Sequence, residues 1–328
     1  MPWLRLWQTS SAKACKLSIR AANGGRDPLT DVTTPNARRQ NRPVEGRQPS
    51  VYDRRSLTYS TSFDSPLRST VIRAIEWLTG KLTIVRRVRE FERMGAPIGQ
   101  AFWPATMQVM GIELQTPEQQ LDRIPAEGPV VFVANHPHGL VDGMILADLI
   151  GRRRDDYRIL TRSLLTGIDE SAASYMIPVP FPHQPDAQQE MIRMRAQAME
   201  HLSDRGLIAL FPSGVVATSA TAFGPVIEAE WNVFTAKMIR RSGATIVPCF
   251  FQGTNSRAYQ IANRVSPVVR QGLLLREVVK SFDKPQAPII GHAITPDQWN
   301  DPIQNPRQFM AQLREHTLGL KADPGRAF

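Results

Sequence analysis

Short apolar runs alternate with longer periodic stretches along most of this chain. Val130-Val131-Phe132-Val133-Ala134 is a continuous apolar run between Pro129 and a turn rich in Pro and Gly, the pattern of a strand buried on both faces. Met144 to Ile150 follows and predicts a helix facing a core. Leu207 to Phe211 and Thr245 to Phe251 repeat the strand pattern, and Asp156 to Thr161 and Met176 to Pro180 predict shorter extended pieces. Ala101 to Met110, Ala187 to Ser203, Glu228 to Arg241 and Pro306 to Leu318 have helical spacing. Gly111 to Leu114 reads as a short strand, and Gln271 to Leu275 and Ala287 to His292 as edge strands. Upstream, Leu67, Val71, Ile75, Leu78 and Leu82 recur at helical spacing after a start at Ser65-Pro66, with Gly80 dividing the run into two helices. Alternation of strand and helix without an internal repeat predicts an α/β fold, a central mostly parallel or mixed sheet flanked by helices.

The first 62 residues lack this patterning. They are rich in Arg, Ser, Thr, Pro, Gly and Asn and read as a disordered basic tail. The expected domain is therefore 63–328, with an N-terminal helical part over 63–115 and an α/β core over 116–328. Charge sharpens the division. Of the net +10, residues 1–60 carry a surplus of seven (eleven Lys and Arg against four Asp and Glu), and the rest of the chain carries three. Such a tail suits an anionic membrane surface or nucleic acid. No basic motif interleaved with aromatics favours nucleic acid. The first 26 residues contain no acid, which fits a transit peptide and equally a start codon assigned too early. No stretch approaches the ~18 apolar residues of a membrane span. Cys15 and Cys249 form neither a disulfide framework nor a zinc motif.

Candidate chemistry lies at two strand ends. Asn135, His136 and Asp142 sit where the 130–134 strand gives way to a helix, the place where open α/β sheets bind ligands. A neutral imidazole there can take a proton from an attacking hydroxyl or amine. A carboxylate on its other nitrogen fixes the tautomer and stabilises the imidazolium, and a helix N-terminus disfavours the premature cation. The same spacing is met by an ordinary loop histidine beside a helix-start acid. At the second end, Phe211-Pro212-Ser213-Gly214 stops a buried strand at a turn that exposes backbone N–H groups, suited to an anion or to a structural turn.

Together, Asn135-His136 with Asp142 and Phe211-Pro212-x-Gly214 resemble, in order and spacing, the glycerolipid acyltransferases, which include the lysophosphatidate acyltransferases. Gly206 to Gly214 and Thr245 to Pro248 fit later blocks of that family, and the resemblance covers roughly residues 66–300. Five residues rather than the usual four separate His136 from Asp142. The Asn-His-Pro-x-Gly-x-x-Asp-Gly form and the Gly253-Thr254-Asn255-Ser256 turn resemble the bacterial hemolysin-like branch, some members of which make ornithine lipids. Gly139 can absorb the extra residue through a positive φ. Ser213 and Val216 stand where the family carries the Glu and Arg implicated in binding an acceptor's phosphate, which weakens lysophosphatidate as acceptor. Met176 to His183 only loosely represents the block that carries a further Arg, for which Arg158, Arg162 and Arg193 are candidates.

The resemblance implies a glycerolipid-acyltransferase-like fold and transfer of a fatty acyl group from an acyl carrier protein or coenzyme A thioester to a lysolipid hydroxyl. The acceptor would be a lysophospholipid or a lyso-ornithine lipid. His136 would be the base and Asp142 its orienting partner. Asn135, Gly139, Phe211, Pro212, Ser213 and Gly214 would bind substrate. No metal or bound cofactor is required, with acyl-coenzyme A or acyl carrier protein as co-substrate. The expected partners are membrane lipids and acyl carrier protein, and not nucleic acid. The expected place is peripheral, on the cytoplasmic face of the inner membrane, with the Leu67–Leu82 stretch either packed on the domain or lying in the interface. Two alternatives remain. An inactive lipid-binding member of the fold would tolerate Ser213, and a metal-dependent hydrolase would use His136-x-His138 with Asp142.

Overall fold

The computed structural model describes residues 58–60, 65–162, 170–180, 186–299 and 305–328, all within the compact unit Gln48–Phe328. The expected tail lies outside the described residues except for Thr58 to Ser60. These three are held to the first helix: the Thr58 hydroxyl and the Tyr59 N–H donate to the buried Glu76 carboxylate at 2.6 and 2.7 Å. Composition could not reveal that tie, because its acceptor comes from a different segment.

The chain opens with α1 (Pro66–Glu76), a π-helical turn (Trp77–Lys81), α2 (Leu82–Arg93), α3 (Phe102–Met110) and a short α4 (Glu118–Leu121). Gly80 does not separate two helices; the helix runs on through the π turn. A Cβ at Gly80 would lie 3.2 Å from the Leu275 carbonyl, so glycine here permits a close helix–helix approach. The core follows as β1 (Val130–Ala134), α5 (Leu140–Gly151), β2 (Tyr157–Arg162), α6 (Glu170–Ala173), β3 (Met176–Val179), α7 (Ala187–Ser203) and β4 (Leu207–Leu210). The hairpin β5 (Thr218–Ser219) and β6 (Val226–Ile227) leads to α8 (Val233–Ser242) and β7 (Thr245–Phe250). Three short helices, α9 (Arg257–Val265), α10 (Pro267–Gly272) and α11 (Leu274–Lys280), precede β8 (Ile289–Ile290) and α12 (Pro306–Gly319).

The main sheet has the order β3-β2-β4-β1-β7-β8, parallel except for β8, which runs antiparallel to β7. It is thus the expected α/β arrangement with one antiparallel edge. All five residues of β1 are inaccessible to solvent, which is what a central parallel strand covered on both faces demands. Alternate side chains enter different cores. Val130, Phe132 and Ala134 pack with α3 and α5, and Val131 and Val133 with α7, α8 and α12. Burial of an aromatic such as Phe132 contributes about 1.5–3 kcal/mol.

Three expectations are corrected. Gln271 to Leu275 is helical, spanning the end of α10 and the start of α11, not an edge strand. Its apolar run is too short to set a period, and Ser266-Pro267 decides it: the Ser266 hydroxyl caps Val268 N–H at 3.2 Å and Pro267 opens the first turn. The helix expected from Glu228 begins only at Val233, where the Asn232 side chain caps Phe234 N–H at 2.8 Å. Glu228 to Trp231 is loop, and it turns a carboxylate inward. Gly111 to Leu114 forms only a single bridge, Leu114 to Gln286.

Because β4, β1 and β7 are neighbours in register, with Val133 opposite both Leu210 and Pro248, their C-terminal ends emerge side by side. Asn135-His136, Phe211 to Gly214 and Phe251 to Ser256 therefore meet at one edge of the sheet.

Candidate active site

Asn135 fastens two of these strand ends. Its Nδ2 donates to the Phe251 carbonyl at 2.9 Å and its Oδ1 accepts the Phe251 N–H at 2.7 Å. The amide is buried and engaged at both ends, so in this geometry it holds the backbone from which His136 projects. The His136 N–H donates to Glu228 Oε2 at 3.1 Å and its carbonyl accepts the Ala217 N–H at 2.8 Å. The His136 ring stacks on Phe211 at 3.9 Å between centroids and 22° between planes, and keeps 17% of its side-chain surface exposed.

Asp142 is the third residue of α5 and has no exposed surface. Its Oδ2 accepts the N–H groups of His138 at 2.9 Å and Gly139 at 3.0 Å. Both imidazoles face it. His136 Nδ1 lies 3.0 Å from Oδ2, out of line for a full hydrogen bond, and His138 Nδ1 lies 2.9 Å from Oδ1. Gly139 makes the turn possible: its φ is +87°, and a Cβ there would press on Val216 at 3.3 Å. Burial alone would raise the Asp142 carboxyl. The His138 charge, hydrogen bonding to both imidazoles and the His136 charge outweigh it and hold the group far below the usual carboxylate range. Burial pulls the His138 imidazole down, but Asp142 and then Glu277 outweigh it and its pKa is raised.

The second strand end completes the wall. Pro212 is buried and its carbonyl accepts the Asn232 N–H at 2.9 Å; Gly214 has φ +65° and its N–H donates to the Phe211 carbonyl at 2.9 Å. The Ser213 hydroxyl donates to the Val215 carbonyl at 3.0 Å. Glu228, buried, reaches this place from the loop after β6 and also accepts Trp231 Nε1–H at 3.2 Å. Burial raises its pKa, only partly offset by hydrogen bonds from the His136 backbone and the Trp231 side chain and by the His136 charge. Cys249, beneath Asp142 in β7, is fully buried. Burial first, and then the Asp142 charge, push its thiol well above the ordinary range, so it is not a ready thiolate.

The eight residues singled out from sequence thus converge on one edge of the sheet. The arginine candidates do not join them. Arg158 donates to the Tyr157 carbonyl and lies over the Tyr175 ring, and Arg193 pairs with Glu190 along α7. The side chain of Arg162 and residues 181–183 of the Met176–His183 block lie outside the described residues. Two contributors escaped sequence reasoning. Glu228 carried no signal, being one acid in a stretch read as helix. The His138 contact with Asp142 was signalled only by the His-x-His spacing, which suggested a metal cluster. Among the described residues, no group of three or more His, Cys, Asp or Glu side chains is placed to hold a cation.

The acyltransferase family profile matches residues 98–276, more than half of the chain. A lyso-glycine lipid O-acyltransferase of Phocaeicola vulgatus is 27% identical over 226 residues, 66% of this chain and 77% of that protein. A lyso-glycine lipid O-acyltransferase of Bacteroides thetaiotaomicron is 28% identical over 169 residues, 51% of this chain and 58% of that protein. The crystal structure of the 1-acyl-sn-glycerophosphate acyltransferase PlsC from Thermotoga maritima aligns with a TM-score of 0.43 at 13% identity, covering 68% of this chain and 78% of that one.

Proposed function

The chain belongs to the acyltransferase family, and from that premise we propose that it moves a fatty acyl group from acyl carrier protein or coenzyme A to the hydroxyl of a lysolipid. The observation that carries the chemistry is the partly exposed strand-end His136 with its Nδ1 3.0 Å from the solvent-free carboxylate of Asp142. His136 takes the acceptor's proton as the hydroxyl oxygen attacks the thioester carbonyl. Asp142 stabilises the imidazolium, the C–O bond forms, the C–S bond breaks, and the proton passes from His136 to the departing thiolate. No covalent enzyme intermediate, metal or bound cofactor is needed.

The acceptor we infer is an amino-acid lysolipid rather than a lysophosphatidate. Both relatives above are named for a lyso-glycine lipid, and Ser213 and Val216 replace the phosphate-associated Glu and Arg. The test is acyl transfer by the full chain from each labelled donor to a panel of lyso-glycine lipid, lyso-ornithine lipid and lysophosphatidate. Transfer to an amino-acid lysolipid is the expected result. Preference for lysophosphatidate overturns the acceptor assignment. Transfer to none, with lipid retained on the purified protein, favours the lipid-binding alternative.

We further propose that the enzyme works peripherally at the cytoplasmic face of the inner membrane. Among the described residues no helix is long and apolar enough to cross a bilayer. Of the stripe Leu67, Val71, Ile75, Leu78 and Leu82, which in sequence fits a packing face or an interfacial one, all but Ile75 point outward, with Trp77 beside them and Leu78 86% exposed; Ile72 and Phe91 face inward. Arg68, Arg86 and Arg89 are exposed on the same helices. A leucine transferred from water into the acyl boundary contributes about 1.5–3 kcal/mol, and each basic residue near an anionic surface about 1 kcal/mol. We expect the protein to pellet with phosphatidylglycerol-rich vesicles at low salt, and Leu78→Asp to reduce that binding about tenfold or more. Equal pelleting of the two proteins would remove this helix as the docking element.

A further inference from the structure

We propose that His138 is a positioning residue that shares the single Asp142 carboxylate with His136. Neutral, it donates Nδ1–H to Oδ1 and holds the carboxylate in place for His136; protonated, it takes the charge of Asp142 and leaves His136 a poor base. This rests on the proposed role of His136 as base and adds the group that controls it.

Four observations carry the inference. The carboxylate lies between two imidazoles, with Nδ1 of His138 at 2.9 Å from one oxygen and Nδ1 of His136 at 3.0 Å from the other. Asp142 is fully buried, so no solvent competes for its charge, and one carboxylate can balance one imidazolium. The His138 contact is a hydrogen bond, while the His136 contact is off line, so His138 has the firmer hold. The far side of the His138 ring is closed as well. Gly253, at φ +96° in the turn after β7, faces Nε2, and a Cβ there would stand 2.8 Å from it. Glycine at 253 thus leaves the room that the His138 ring occupies beside the carboxylate.

The charged and titratable groups around the pair set the sign. Asp142 on α5 and Glu277 on α11 both favour a proton on His138. The Glu277 carboxylate is itself tied to the Ser256 N–H and hydroxyl at 2.7 and 2.6 Å. Glu228 faces the His136 backbone from the loop before α8, and Cys249 beneath Asp142 is a neutral thiol. As pH falls, the first proton is therefore expected on His138. A second proton on His136 then meets an Asp142 already balanced by the His138 imidazolium and keeps only Glu228, which accepts its backbone N–H, and this makes the two sites anticooperative.

The consequence is a pair of opposite shifts. Activity requires both imidazoles neutral, so the acid limb of kcat/KM in the native protein includes the His138 proton. In His138→Asn, which keeps a side-chain N–H for Asp142, only His136 remains, and the midpoint of the limb moves down by at least about 0.3 pH unit. The titration of His136 itself, followed by the NMR of ¹⁵N-labelled imidazoles, moves up, because no neighbouring cation now opposes it. His138→Gln repeats the measurement should the asparagine variant fold poorly. A merely structural His138 predicts a loss of kcat uniform across pH, with both midpoints where they were, and that result overturns the proposal. The NMR titration needs no turnover. Loss of the base assignment would show separately, as acyl transfer that survives His136→Ala.

Discussion

His136→Ala lowers kcat for acyl transfer by roughly 10²–10⁴, the usual worth of an oriented general base, while KM changes little. The side chain removed is the one whose ring lies over Phe211 with part of its surface open to solvent, and whose Nδ1 faces Asp142. Its loss leaves the turn intact, since the backbone bonds from His136 to Glu228 and from Ala217 to His136 do not involve the ring. Thermal stability should fall only by the lost stacking, about 0.5–1.5 kcal/mol. The measurement is steady-state kinetics of wild type and variant on the acceptor that the panel identifies, with melting temperatures in parallel. Activity within threefold of wild type would remove His136 from the chemistry.

Asp142→Asn is expected to fail twice, in rate and in stability. The carboxylate accepts two backbone N–H groups and meets two imidazoles, whereas an amide has one accepting oxygen and an NH₂ that one imidazole must then face. With the charge gone, the His136 imidazolium loses its counter-ion, and kcat should drop by roughly 10²–10⁴. Weakening of the charge-assisted bonds to the His138 and Gly139 N–H groups should lower the unfolding free energy by about 1–3 kcal/mol at neutral pH. The pH dependence has a definite sign. The Asp142 carboxyl is held far below its ordinary value of 3.8, so its contribution to stability is present above that value and declines as pH falls below it. Urea unfolding at neutral and acid pH should therefore show the gap between wild type and variant closing toward acid. A constant gap would mean that Asp142 acts through shape and not through charge. The two substitutions separate the roles: His136→Ala is expected to cost mainly rate, with a stability loss that does not depend on the Asp142 charge, and Asp142→Asn to cost rate together with a stability loss that closes toward acid.

The outward stripe on the first helices shows how a correct pattern leaves its orientation open. Leu67, Val71, Ile75, Leu78 and Leu82 recur at helical spacing, and periodicity alone matches a core-facing and a surface-facing stripe equally; of the five only Ile75 packs inward. Orientation is decided by what else can cover each side. α10 and α11 pack against the face that bears Ile75 and Gly80, where a Cβ at Gly80 would stand only 3.2 Å from the Leu275 carbonyl, and the leucines are left outside. The helices that provide this cover were themselves illegible. The Gln271 to Leu275 stretch that joins them reads as an edge strand, and only the Ser266 cap and Pro267 mark the start.

Local order along the chain determined a good deal. The buried strands follow from continuous apolar runs that only a sheet covered on both faces can hide. The conjunction of His136 with Asp142 follows from a turn of five residues pivoting on Gly139, where no distant contact is needed to bring the two side chains together. Ser213 and Val216, on which the proposed preference for an acceptor without a phosphate partly rests, are likewise visible in the chain. Tertiary structure alone decided the rest. Glu228 meets the His136 N–H from 92 residues away, and Asn135 joins Phe251 across 116. Those meetings depend on β4, β1 and β7 being adjacent, an order set by how both sheet faces are best buried and not by any local period. The sharing of Asp142 between two histidines belongs to the same class. The His-x-His spacing is visible in sequence, but the room for the His138 ring beside the carboxylate comes from a distant residue, Gly253, where a Cβ would stand 2.8 Å from Nε2.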